Sequence, residues 1–460
     1  MTIWSPDIQK RGGPRSQAIA DALLEDIETG RLKPGARLPT HRELADQLGV
    51  AIGTVTRAYS LAQRRGLLSG EVGRGTFVNP SVEASARVEA SAEESAPVDL
   101  SRNVLVRDTR DTRIYDALSA VGRFEFDQFL DNYQTAAGAE RHRAAAARWM
   151  SREGFEVAPE RVLVTSGAQH AMMVALATLT EPGDTVLTEQ LSYPGIMALA
   201  NLLHLNLRGL ACDEDGLLPE AFEQACRERT GKVLYCIPTV HNPTASVMPD
   251  SRRRELARFA RDYDVPILED DVYGFLPEDA PPPVASYAPE HTYYFTSTSK
   301  SVAPGLRIGY MVAPASAVER LSAAVRTTTW EAAPLMAEVL TNLIEDGTLD
   351  DVVSWKRREA GARQRLAREI LGEFYGRVPT SCHVWIQLPE PWRSSDFVAQ
   401  ARTRGVLVMP SEAFVVGRGS APHAVRVCLG SPPSRAQLEK GLLTLADILR
   451  STPEPTLMVA

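Results

Sequence analysis

The sequence predicts two folds in one chain: an N-terminal winged helix-turn-helix, and an α/β body with a large and a small subdomain. Three observations carry this. A capped helix pair near the N-terminus leads into a glycine-rich stretch with the pattern of two short strands. Residues 81–97 read SVEASARVEASAEESAP, without an aromatic residue or a sustained apolar face. Beyond them, apolar strand patterns alternate with helical ones, which argues for an open, mostly parallel sheet with helices on both faces. The 460 residues accommodate such a division at about 100–200 residues per domain. The predicted bounds are 8–80 for the winged helix, 81–112 for a flexible linker and 113–452 for the body.

In the N-terminal module, Ile19, Leu23 and Ile27 recur at helical spacing over Ser16–Thr29, and Gly30 ends that helix. Thr40 and Glu43 form a T-x-x-E capping box opening the next helix. Leu44, Ala45 and Leu48 give it an inward face. Leu48-Gly49-Val50 is a tight turn, and a second helix follows over Ile52–Arg65 with Val55 and Tyr59 inward. Two helices across a glycine turn make a helix-turn-helix. In Leu67–Val78, two short strands flank a tip carrying Arg74 and Gly75. An arginine on a thin tip suits a minor groove.

In the body, predicted strands cover Arg161–Thr165, Asp184–Thr188, Lys232–Ile237, Val265–Leu268, Tyr293–Thr296 and Ile308–Val312. A smaller subdomain is expected after Pro334, with strands near Val384–Leu388 and Ala424–Leu429. Polar motifs fall where strands end, the usual ligand position in such sheets. They are His241-Asn242-Pro243-Thr244, Glu269-Asp270-Asp271-Val272-Tyr273, Ser297-Thr298-Ser299-Lys300 and Gly305-Leu306-Arg307-Ile308-Gly309. These residue types suit pyridoxal 5'-phosphate. Lys300 supplies the amine for a Schiff base. Asp270 supplies the carboxylate that keeps a pyridine nitrogen protonated. Asn242 and Tyr273 suit the ring oxygen, and Tyr193 offers a face for stacking. For the phosphate, Gly167 and Ala168 open a helix whose free N–H groups attract an anion. Ser297 and Ser299 add hydroxyls, and Arg307 a guanidinium. Glu269 and Asp271 read as carboxylates of the fold rather than of the chemistry.

Two resemblances follow from these motifs. L-P-T-H-R-E-L-A-x-x-L-G-V, T-V-T-R-A-Y and G-R-G-T-F-V resemble the winged helix of GntR-type bacterial regulators. That resemblance implies that Arg42, Thr54, Thr56 and Arg57, with Arg74 and Gly75 on the wing, face operator DNA. Ile52 departs from the polar or basic residue frequent there. S-G-A-Q, S-Y-P-G, N-P-T, D-D-x-Y, S-x-S-K and G-L-R-I-G, in this order, resemble the fold-type I aminotransferases. This implies roles for Lys300, Asp270, Asn242, Tyr273 and Tyr193 as above. It also implies that Arg426 grips a substrate or effector carboxylate and that Tyr133 reaches the phosphate of a partner subunit, hence a homodimer. Ala245 replaces the glycine common after N-P-T, and His241 stands where Gln is frequent. Jointly the halves resemble the MocR/GabR-type regulators.

Charge and cysteines narrow the setting. Residues 1–80 carry 11 Lys/Arg against 8 Asp/Glu, the remainder 39 against 50, so the N-terminal module is the end suited to a polyanion. Five widely spaced cysteines without a C-x-x-C pair argue for free thiols and against a disulfide framework or a metal site. No run of eighteen apolar residues and no secretory signal pattern is present, so no membrane association and a cytoplasmic location are expected. The expected function is a transcriptional regulator sensing an amine or amino acid through an aldimine on Lys300. An active aminotransferase with an accessory DNA-binding arm stays open beside it. So do a winged helix that binds protein and a body that only dimerises.

Overall fold

The computed structural model describes residues 4–6, 14–28, 31–33, 36–64, 68–71, 75–78, 97–106, 108, 112–119, 121, 129, 131–376 and 381–453. The chain divides into two compact units, Met1–Ala96 and Pro97–Ala460.

The first unit contains helices Arg15–Glu28, His41–Leu48 and Ile52–Arg64 and the antiparallel strands Leu68–Glu71 and Gly75–Val78. The capping box forms. Glu43 N–H donates to Thr40 Oγ1 at 3.3 Å, and Thr40 N–H donates to Glu43 Oε2 at 2.8 Å. Gly49 turns the chain at φ 62°, where its N–H reaches Ala45 O; a side chain there would be strained. Ile19, Leu23, Ile27, Leu44, Ala45, Val55 and Tyr59 share one core. Tyr59 satisfies its buried hydroxyl on Pro39 O at 2.9 Å.

In the second unit, a seven-stranded sheet runs in the order Val162–Thr165, Gly309–Val312, Thr292–Ser297, Ile267–Asp270, Val233–Cys236, Thr185–Glu189 and Asn206–Leu210. Gly309–Val312 is antiparallel to both neighbours, and the other pairings are parallel. The strands that pair on both sides are almost wholly buried, as a sheet covered on both faces requires. The edge strand Asn206–Leu210 escaped the sequence reading. Its residues NLRGL are mostly exposed or half-buried and carry no apolar run.

A smaller subdomain packs helices Thr348–Leu371, Ser394–Thr403 and Arg435–Arg450 against strands His383–Gln387, Ala424–Cys428 and Met409–Pro410. It also takes in the end of the expected linker. Val98–Asp99 pairs in parallel with Val406–Leu407, and Leu100 is fully buried in this core. The predicted linker of 81–112 therefore runs too far, and the body begins at Pro97. One buried leucine just after a two-residue strand has no period to reveal it, whereas the backbone pairing and the burial of Leu100 hold the segment in place. Helix Arg113–Ser119 follows.

Candidate functional site

The strand ends converge on a cavity of 470 Å³ lined by Asn242, Asp270, Tyr273, Ser297, Ser299, Lys300, Arg307, Ala168, Tyr193 and Arg426, among others. Nine of the predicted cofactor residues and the effector residue therefore meet at this place. Gly167 adjoins the cavity as the residue preceding helix Ala168–Leu179. Tyr133 does not line it; it is 78% exposed and lies against Trp330 with ring centroids 5.2 Å apart.

Lys300 sits on the short helix Thr298–Ser301, whose start is capped by Ser297 Oγ accepting from Ser299 N–H. Its Nζ donates to the backbone carbonyl of Asn103 and lies 5.8 Å from the Tyr273 ring centroid. Burial lowers the pKa of this amine, and Arg426 adds to the effect. A lower pKa leaves more of the neutral, nucleophilic form.

Asp270 ends its strand 4% exposed. Burial raises its carboxyl to about 6, against the hydrogen bonds that hold the charged form. These come from the Tyr235 hydroxyl at 2.8 Å and Val272 N–H at 3.3 Å. A buried carboxylate of this kind favours a cationic partner. Its neighbours face elsewhere. Glu269 accepts from the N–H groups of Val284 and Ala285, and Asp271 pairs with Arg152 at 2.8 Å. Both are carboxylates of the fold, as their flanking positions suggested.

Arg426 donates to Asn242 Oδ1 and to Ser101 O, each at 2.7 Å, and stands over the Phe414 ring at 4.8 Å. Its Nε is buried without a partner. Tyr273 accepts from Asn103 Nδ2 at 2.8 Å.

The anion end is built from backbone. Gly167 stands at φ 93° before the helix. The first N–H groups of Ala168 and Gln169, which line the cavity, precede any intrahelical acceptor. Arg307 Nη2 reaches Ser166 O and Nη1 reaches Ser299 Oγ, each at 3.4 Å. A Cβ on Gly309 would lie 2.7 Å from the Gly167 carbonyl carbon, and one on Gly167 would lie 3.0 Å from Arg307 Nη2. A Cβ on Gly195 would strike the Tyr193 ring at 2.2 Å. Gly167 in S-G-A-Q, Gly309 closing G-L-R-I-G and Gly195 in S-Y-P-G are thus spatial requirements. This cradle, the buried carboxylate and the amine fit pyridoxal phosphate. Arg307, Ser297, Ser299 and the helix start would hold its phosphate, Asp270 its pyridine nitrogen, Asn242 and Tyr273 its ring oxygen, and Lys300 its aldehyde carbon.

Sequence reasoning missed Ser101, Asn103 and Tyr235. The first two were assigned to the linker. Tyr235 lies inside an apolar strand, where a tyrosine reads as core; its position one strand over from Asp270 was the available signal.

On the N-terminal unit, Arg42, Thr56 and Arg57 are exposed and Thr54 is half-buried. Thr56 Oγ1 donates to Ile52 O at 3.1 Å and meets His41 Nδ1 at 3.2 Å. Arg57 Nε bends back to Gly53 O at 3.3 Å. Ile52, 50% exposed, stands at the start of the same helix. Gly75 begins a wing strand, and Arg74 lies outside the described residues.

The fold and site define the class: a fold-type I aminotransferase body preceded by a winged helix-turn-helix. Residues 96–444 match the family Aminotransferase class I and II, and residues 15–78 match the bacterial regulatory proteins of the gntR family. The chain belongs to the class I and II aminotransferase family and carries a GntR-type domain in front of it, the combination of the MocR/GabR-type regulators. It is 32% identical to the HTH-type transcriptional regulator YdeF of Bacillus subtilis (strain 168), over 97% of this chain and 96% of that one. It is 27% identical to the HTH-type transcriptional regulator TauR of Rhodobacter capsulatus, over 95% and 97%. Among solved structures, it resembles LysN, the alpha-aminoadipate aminotransferase of Thermus thermophilus, in complex with N-(5'-phosphopyridoxyl)-L-leucine. The TM-score is 0.70 at 22% identity, over 80% of this chain and 96% of that one. That likeness is one of fold. Among the described residues, no helix is long and apolar enough to cross a membrane.

Proposed function

We propose that this regulator holds pyridoxal phosphate on Lys300 and changes its hold on operator DNA when a small amine or amino acid takes the cofactor's aldehyde from that lysine. The observation that carries this reading is the convergence of Lys300, Asp270, Tyr273, Asn242, Arg307 and Arg426 on one cavity in a chain with a GntR-type domain. The cofactor supplies a reversible carbonyl for an incoming amine. The chain supplies the rest. Asp270 holds a proton on the ring nitrogen's side. The cradle at Gly167–Ala168 anchors the anion, and Arg426 takes a carboxylate by a charge-assisted bond. Burial lowers the pKa of Lys300 and so favours its nucleophilic form.

The domains follow the proposed order: a winged helix within 8–80, a connecting stretch, and the aminotransferase-like body. Arg42, Thr54, Thr56 and Arg57, with the wing at Arg74 and Gly75, contact DNA. A homodimer, with Tyr133 reaching the partner's phosphate, fits the exposure of Tyr133 and Trp330. A cytoplasmic site of action goes with DNA binding.

The test is spectral. The purified protein absorbs as a lysine-bound pyridoxal compound, and Lys300→Ala abolishes that band without unfolding the body. A band that persists on a lysine in the mutant overturns the assignment. The completeness of the residue set also favours a second reading, a working aminotransferase. Sustained turnover with an amino donor and a keto acid would favour it, and a single half-reaction favours the sensor.

A further inference from the structure

The segment Ser101–Asn103 joins the two ends of the cavity. Ser101 O accepts from Arg426 Nη2 at 2.7 Å. Asn103 O accepts from Lys300 Nζ, Asn103 Nδ2 donates to Tyr273 at 2.8 Å, and Asn103 Oδ1 accepts from Cys382 Sγ at 3.1 Å. On its N-terminal side this segment is only four residues from Pro97, where the body begins. It is tied down there by Val98 N–H to Gly405 O and Leu100 N–H to Leu407 O, each at 2.8 Å. The groups that would bind cofactor and effector are therefore the same groups that hold the first residues after the inter-unit connection.

We propose that Asn103 is a positioning residue of the site and that its carbonyl is the resting place of the Lys300 amine once that amine is displaced. Site occupancy then exchanges contacts along Ser101–Asn103. While Lys300 is bonded to the cofactor's aldehyde carbon, Nζ is not an ammonium donor and Asn103 O loses this partner. When an incoming amine takes that carbon, a C=N bond forms to the new nitrogen and the bond from carbon to Nζ breaks. Nζ takes up a proton and donates to Asn103 O. A carboxylate on the incoming molecule competes with Ser101 O for Arg426. One contact forms and another weakens within three residues. Tyr273, held by the Asn103 amide, stays fixed while this happens. The inference rests on the cofactor reading above and adds a route for the signal.

The experiment uses the full-length, cofactor-loaded protein and two carbonyl-capturing probes, methoxyamine and aminooxyacetate. Both release Lys300; only aminooxyacetate carries a carboxylate. The change in absorbance reports capture, and backbone hydrogen exchange of residues 97–106 reports the segment. Methoxyamine is expected to slow exchange at Val104, whose amide shares its peptide group with Asn103 O, by about fivefold, the scale of one net hydrogen bond. Aminooxyacetate is expected to do the same and also to speed exchange at Arg102, whose amide shares its peptide group with Ser101 O. Lys300→Ala, loaded with cofactor and captured by methoxyamine, is expected to show no slowing because no amine is released. Unchanged exchange in the wild type despite complete capture overturns the proposal, as does equal slowing in Lys300→Ala. Failure to see any cofactor band sinks the cofactor reading instead. Asn103→Ala is expected to shift the absorbance-detected pKa of the bound cofactor, because Tyr273 loses its donor; Asn103→Gln restores part of that shift. A purely structural Asn103 would leave this pKa where it is.

Discussion

The backbone carbonyl of Asn103 accepts a hydrogen bond from the Nζ of Lys300, across 197 residues of sequence. The residue that would carry the cofactor is thereby bonded to a segment that lies six residues past Pro97, where the body begins. The same stretch meets Arg426 through Ser101. A sensor needs differential contacts in its two states, and these are the contacts the fold offers.

Asp270 titrates in a window that the cofactor-free protein exposes. Burial raises its carboxyl to about 6, above an unfolded value of about 3.9. Between those values the folded state keeps a proton the unfolded chain has lost. The group therefore favours folding at low pH, and that contribution is lost as pH rises through 6. Asp270→Asn is expected to stabilise the cofactor-free protein by about 1 to 3 kcal/mol near pH 8 and to change little near pH 4. Denaturant titrations at both pH values check this. The same variant binds cofactor more weakly, so stability and affinity move in opposite directions.

Gly309 is sized for the anion cradle. Gly309→Ala would place a methyl 2.9 Å from the Ala168 amide nitrogen, so the helix start must shift. Cofactor affinity is expected to fall by at least about tenfold, the scale of one lost charge-assisted hydrogen bond. Equilibrium dialysis of the cofactor gives the number, and an unchanged affinity would mean that the anion is held elsewhere.

Arg253 fixes the loop that presents Asn242. It is fully buried and donates to Met248 O, Pro238 O and Thr239 Oγ1 at 2.9–3.0 Å, and to the carbonyls of Pro281 and Pro282. Arg253→Ala strands these acceptors and is expected to destabilise the body by about 3 kcal/mol or more. Arg253→Lys recovers little, because one ammonium has three donors and no planar fork. Thermal melts of both variants distinguish this from a loss of side-chain volume alone.

Much of this was legible in the sequence, for reasons that differ by element. The capping box at Thr40 and Glu43 is a local pattern and formed as read. The strand ends carrying Asp270, Lys300 and Asn242 were readable because buried strands flank polar motifs. Asn103 was not, because its partners Lys300, Tyr273 and Cys382 are far away in sequence and its own neighbourhood has no period. Asn206–Leu210 was missed because an exposed edge strand needs no apolar face.

The DNA-binding face separates two kinds of contact. Arg42→Ala and Arg57→Ala are expected to weaken binding to all sequences and to reduce the salt dependence by about one phosphate each. Ile52 is an exposed apolar side chain, suited to a thymine methyl in the major groove. Replacing that thymine with uracil is expected to weaken wild-type binding by about fivefold and to leave Ile52→Ser indifferent. A thymine-to-uracil scan of a bound promoter fragment checks both. No uracil effect at any position would remove Ile52 from readout.

The proposed sensing requires that the cavity and the DNA-binding unit share one equilibrium. It is tested most directly by measuring the affinity of the cofactor-loaded protein for a bound promoter fragment before and after aminooxyacetate capture, with absorbance confirming that Lys300 has been released. A coupling of about 1 to 3 kcal/mol would change that affinity by about 5- to 150-fold, and linkage requires the fragment to change aminooxyacetate affinity by the same factor. Such a change is expected, of equal size in both directions. Complete capture with identical DNA affinity before and after would contradict it.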